Sequence, residues 1–141
     1  MVSPSAKSVL HGWRSRAIDA FALAEANIER LLRKQNLAAS GELLGSKLEK
    51  LRKAKPSATL SDARKKQIDG ILAQLQTLIG LRNDLVHAQM IVRQDGEQIV
   101  GCFANPNQQC EFSSVTREIS GPRLQALGGK VAKLAKDLEA A

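Results

Sequence analysis

The run Met90-Ile91-Val92-Arg93-Gln94-Asp95-Gly96-Glu97-Gln98-Ile99-Val100-Gly101-Cys102-Phe103 is where a helical rhythm gives way to a strand rhythm. Two β-prone stretches, 90–94 and 97–103, flank Asp95-Gly96, a dipeptide that favours a tight hairpin because glycine accepts positive φ. Asn105-Pro106-Asn107 supplies a second turn, and a third short strand is expected around Cys110 to Val115. The segment from about 90 to 116 therefore reads as a small antiparallel β-meander. So small a sheet buries too little apolar surface to stand alone, so it is expected to pack on helices or on a second subunit.

Outside this segment the apolar period is that of a helix. From about Ser5 to Lys34, Leu10, Trp13, Ala17, Phe21, Ala24, Ile28, Leu31 and Leu32 recur at three- and four-residue steps. Asn36 to Gly41 breaks the pattern. A shorter helix from about Glu42 to Ala54 turns Leu44, Leu48 and Leu51 inward, and Pro56 stops it. Ser61 caps a third helix, with Asp62 in its first turn, that is expected to run unbroken to about Met90 through Ile68, Leu72, Leu75, Ile79 and Val86. A last helix starts near Pro122 and carries Leu124, Leu127, Val131, Leu134 and Leu138, with Gly128-Gly129 weakening or bending it. The expected fold is mainly α: one domain over residues 1–141, an antiparallel bundle of about four helices with the β-meander inserted before the last.

Composition narrows the function classes. The chain has 141 residues, the size of one compact core, and 21 Lys plus Arg against 14 Asp plus Glu give a net charge of +7. One Trp, three Phe and no Tyr are too few for a binder that stacks bases on exposed rings. A basic, ring-poor chain can still engage nucleic acid through phosphates, or can simply use its charge to stay soluble. Its apolar residues form no long uncharged run, and Met1 to Lys7 lacks the apolar core of a secretory signal, so a cytoplasmic protein without a membrane span is expected. The two cysteines, Cys102 and Cys110, form no CxxC pair or Cys/His cluster, which speaks against structural zinc. In a reducing compartment they read as small apolar residues, although a hairpin about Pro106 would set them side by side.

The chemistry-bearing residues close the third helix: Leu81-Arg82-Asn83-Asp84-Leu85-Val86-His87. On a wheel turning 100° per residue, Ile79 and Val86 mark the centre of the expected buried stripe. Arg82 falls about 60° to one side, while Asn83 and His87, four apart, stack on the other. A charged, a polar and a titratable group thus flank one apolar ridge. Burying an arginine without a partner is costly, so an anion or a wet cleft is implied.

Arg82-Asn83-Asp84-Leu85-Val86-His87, late in a bundle helix, resembles the signature of the HEPN superfamily, in which an arginine is followed after four to six residues by histidine. The resemblance covers the motif closely and the helical frame loosely; the loops and the β-meander carry no weight in it. It implies a metal-independent endoribonuclease of the toxin or defence type, with an antitoxin or regulatory protein as a further partner, or else an inactive binding module for a protein or nucleotide. It further implies dimers whose motif helices face each other.

Elementary chemistry agrees with the enzyme reading. Metal-free RNA cleavage needs a base for the 2′-hydroxyl, an acid for the departing 5′-oxygen and a cation for the phosphorane charge. Histidine serves either proton role near neutrality, and arginine grips two phosphate oxygens while staying charged. Asn83 can orient the imidazole or bond the backbone. One chain supplies one motif histidine, whereas the reaction wants two proton-transfer groups. A composite site at a two-fold homodimer interface meets that need, with no cofactor and no metal.

Other residues have plainer readings beside the functional one. Glu25 interrupts the stripe Ile18-Phe21-Ile28-Leu32 and can pair with Arg82, as a structural ion pair or as a support to the site. Asp84 reads as a solvated helix charge or as a carboxylate tuning His87. His11 belongs to the surface of the first helix and Trp13 to its core. A basic cluster of Lys47, Lys50, Arg52, Lys53, Lys55, Arg64, Lys65 and Lys66 can track an RNA backbone or form an ordinary solvated face.

Overall fold

A computed structural model describes residues 2–37, 41–106, 112 and 116–141. Along the chain these form α1 (Pro4–Lys34), α2 (Leu44–Lys53), α3 (Asp62–Gln76), α4 (Ile79–His87), β1 (Gln89–Asp95), β2 (Gln98–Ala104), β3 (Thr116–Ser120) and α5 (Gly121–Ala140). The protein is mainly helical, with one three-stranded antiparallel sheet of order β1-β2-β3 before the last helix. The fold is the expected one: a set of helices with a β-meander inserted ahead of α5.

The described chain divides into two compact units. The first comprises residues 1–20 and 80–130: the beginning of α1, nearly all of α4, the sheet and the first half of α5. Its core holds Leu10, Ala17, Leu85, Met90, Val100, Phe103, Ile119 and Leu124, all nearly inaccessible to water. Trp13 is half-buried, and its ring lies where a Cβ on Gly121 would stand, 2.8 Å from that position. Here glycine is needed for want of space. The paired residues Asp95 and Gln98 close the hairpin over Gly96 and Glu97, one residue later than the Asp95-Gly96 loop expected. Gly96 has φ +63°, as the first loop position of a primed turn requires.

The second unit comprises residues 21–79 and 131–141. Phe21, Ile28, Leu32, Leu48, Leu51, Ile68, Leu72, Val131 and Leu138 form its core, so the stripes read over residues 21–32, 44–51, 68–75 and 131–138 face inward. Asn27 is buried among them and donates from Nδ2 to the Ala135 carbonyl at 2.9 Å, which satisfies its amide. α1 ends in a Schellman motif: Leu37 N–H reaches the Leu32 carbonyl at 2.9 Å and Asn36 N–H the Arg33 carbonyl at 3.0 Å. Asn36 takes the left-handed position, φ 57°. Ser61 caps α3 by accepting from the Arg64 N–H, as its place before Asp62 led one to expect.

Two expectations are corrected. The third helix is two, because Thr77 and Leu78 form a turn between α3 and α4. Thr77 Oγ1 donates to the Gln74 carbonyl at 2.7 Å, and Leu78 N–H bonds the Leu75 carbonyl three residues back, tightening and ending the helix. α5 runs continuously through Gly128-Gly129, and Gly128 lies against the backbone of Ala17. The third strand of the sheet is Thr116–Ser120; of the stretch expected around 110–115, Phe112 stands in a turn, and Cys110 and the other residues lie outside the described ones.

Candidate functional site

α4 carries the motif, and its phase follows from the break before it. With Thr77-Leu78 as a turn, the wheel drawn through Ile68 and Leu75 no longer continues into α4. The buried positions are Asp84 and Leu85, then Ala88 just past the helix, while Val86, expected at the centre of the stripe, is 39% exposed. Arg82 and Asn83 are half-buried, and His87 is exposed at the helix end. Arg82 Nη1 donates to Asn83 Oδ1 at 3.2 Å, so Asn83 steadies the guanidinium rather than the imidazole. The His87 side chain makes no hydrogen bond among the described residues. Five residues of helix set the Cα atoms of Arg82 and His87 roughly 9 Å apart and about 140° around the axis. A hollow shared by both groups on one copy does not follow from that geometry.

Asp84 is the correction of most consequence. It is only 2% exposed, not a solvated charge, and does not serve His87. Its Oδ1 accepts from Asn105 Nδ2 at 3.0 Å, and its Oδ2 accepts from Arg117 Nε in a short charge-assisted bond. The buried carboxylate thereby ties α4 to the end of β2 and to β3. Leu81, Asp84, Leu85 and Ala88 stand at i, i+3, i+4 and i+7, a ridge pattern in which the acid is the odd member. That pattern was the sequence signal for a buried, partnered carboxylate.

Arg14 of α1 holds the C-terminal end of the motif helix. Its Nε and Nη2 donate to the Leu85 carbonyl at 3.0 and 2.7 Å, and Nη2 reaches the Ala88 carbonyl at 2.8 Å. These carbonyls are among those that a helix C-terminus leaves unmatched. The guanidinium also stands 5.6 Å from the centre of the Phe103 ring, and burial lowers its pKa from the usual arginine value. Neither Arg14 nor Arg117 stood out in the sequence, since each partner lies about 30 or more residues away.

Beside α4 lies a cavity of about 350 Å³, lined by Leu81, by Arg117, Glu118 and Ile119 of β3, and by Arg123, Ala126, Leu127 and Lys130 of α5. Arg82 and His87 do not line it.

The basic cluster belongs to the second unit and is largely neutralised there. Lys47, expected at an RNA backbone, is buried and bonds Glu25 at 2.8 Å and Glu29 at 2.5 Å. Burial alone would lower its ammonium pKa; the two carboxylates outweigh that and hold it above the usual lysine range. Glu25, the expected partner of Arg82, thus carries Lys47. Lys65 is buried as well, between Asp69 and the Arg52 carbonyl. Lys50 pairs with Glu42, and Arg52 and Lys53 pair with Glu49. Arg64 remains exposed.

No group of three or more His, Cys, Asp or Glu residues placed to hold a metal ion occurs among the described residues. No helix among them is long and apolar enough to cross a membrane. No family model matches the chain, and no curated protein and no solved structure matches it.

Proposed function

We propose that the chain is a metal-independent endoribonuclease of the HEPN kind, acting in the cytoplasm as a toxin or defence component, with a site assembled from two copies. One observation carries the reading: a steadied guanidinium and an unencumbered imidazole share a nine-residue helix that is anchored at its C-terminal end and on its buried face. Arg14 fixes its C-terminal carbonyls, and Asp84, through Arg117 and Asn105, fixes its buried face. Such anchoring gives catalytic groups the fixed geometry that proton transfer needs.

In the reaction the 2′-oxygen of RNA attacks the adjacent phosphorus as one imidazole takes the 2′-proton. The bond to the 5′-oxygen breaks as a second imidazole, from the other copy, protonates it. A 2′,3′-cyclic phosphate and a 5′-hydroxyl result. Arg82 from each copy offsets the phosphorane charge.

The test is cleavage of total RNA in the presence of a chelator. Arg82→Ala and His87→Ala are each expected to abolish it while the melting temperature holds, because neither side chain is buried. Full activity in a strictly monomeric variant would contradict the composite site. The wide angle between Arg82 and His87 on one copy favours a second reading, a non-catalytic dimeric module for a protein or nucleotide partner. Intact RNA after incubation with the dimer would select it.

A further inference from the structure

The sheet of the first unit ends on β3, which pairs with β2 from Val100↔Ser120 to Ala104↔Thr116 and has no further strand beside it among the described residues. Three consecutive residues of β3, Arg117, Glu118 and Ile119, line the cavity of about 350 Å³. Successive side chains of a strand point to opposite faces, so a hollow bordered by three in a row lies along the strand's margin. On that margin the backbone N–H and C=O groups of β3 bond no other strand among the described residues, and an extended chain can pair with them. The opposite wall is one face of α5, since Arg123, Ala126, Leu127 and Lys130 stand at i, i+3, i+4 and i+7. Leu81, Ile119 and Leu127 make its floor apolar, and Ala126 keeps it open.

The charges along this groove are unequal. Glu118 is carried by Arg93, at 2.6 and 3.2 Å, and Arg117 by Asp84. Arg123 and Lys130 are exposed and form no ion pair among the described residues. Seven residues of helix place them about 10 Å apart along the axis, the length of about three residues of extended chain. Phosphates would suit the two cations equally well. The open strand margin, however, offers alternating donors and acceptors at the repeat of a polypeptide backbone.

We propose that this groove docks an extended acidic segment of a partner protein, which adds to β3 as a fourth strand. One apolar side chain of the segment enters the floor, and carboxylates on either side of it meet Arg123 and Lys130. The proposal is independent of the nuclease reading, since it uses neither Arg82 nor His87.

The probe is a fluorescein-labelled octapeptide of alternating glutamate and leucine, added to the full chain and followed by anisotropy. Micromolar binding is expected, with a lysine–leucine octapeptide at least about tenfold weaker. N-methylation of alternate peptide bonds should weaken the acidic probe to the same degree, because it removes the inter-strand bonds. The variant Arg123→Glu/Lys130→Glu is expected to reverse the order of the two peptides, and circular dichroism would show that it folds. Absence of binding, equal affinities of variant and wild type for the acidic probe, or indifference to N-methylation would each overturn the proposal. Tighter binding by a 2′-O-methyl hexaribonucleotide that displaces the peptide would overturn it in favour of nucleic acid.

Discussion

A carboxylate withdrawn from water is tolerable only where its charge is met, and Asp84 is met twice. Asn105 is itself 3% exposed, so removing the acid takes one hydrogen bond from a buried amide and another from the Nε of Arg117. Asp84→Ala is therefore expected to cost about 2 kcal/mol in urea unfolding, and Asp84→Asn less, because one hydrogen bond survives. Gly121→Ala is a test of a different kind, since the added methyl meets the Trp13 ring at 2.8 Å and the Ile99 carbonyl at 3.4 Å. Overpacking of this sort should lower stability by about 1–3 kcal/mol, and Trp13→Leu in the same chain should recover part of the loss. The sequence carried these two sites unequally. An acid on an apolar ridge can be read, but the crowding of Gly121 depends on a ring 108 positions earlier and leaves no local trace.

The elements were legible wherever one period ran uninterrupted. Leu10, Ala17, Phe21, Ile28 and Leu32 on α1, and Leu124, Val131 and Leu138 on α5, are buried as their spacing requires. The turn at Thr77 was not legible, because its cause is one hydroxyl returning to the Gln74 carbonyl within an otherwise helical run. Missing it misplaced the phase of α4, which is why Val86 was expected inside and Asp84 outside. Arg14 holds the end of that helix from another element, and Arg14→Ala should let it fray. Faster amide exchange over residues 86–88 would be the sign, and Arg14→Lys should not restore protection, since one ammonium cannot reproduce the fork onto two carbonyls. In the sheet, hydrogen bonds from Arg93 hold the carboxyls of Asp95 and Glu118 below the usual carboxylate range. Lowered folded values mean a contribution present in full above the unfolded carboxylate pKa and lost as pH falls through the folded one. Arg93→Gln should thus lessen the loss of stability between about pH 5 and pH 2, a modest effect because all three groups are exposed.

At the scale of the whole molecule, the composite-site reading makes a prediction about stoichiometry. If both imidazoles act in one cleavage, an equimolar, fully exchanged mixture of wild-type and His87→Ala chains should retain about a quarter of the wild-type rate. Half the rate would mean that each copy works alone. The turn at Thr77-Leu78 stands next to the boundary between the two compact units, which falls between Ile79 and Gly80. Length changes are absorbed where no periodic pattern has to continue. One alanine inserted after Thr77 should therefore be accommodated, while the same insertion after Asp84 would swing His87 through about 100° relative to its anchored acid. Across natural variants of this chain, gains and losses of residues should gather at 77–78 and avoid 80–88.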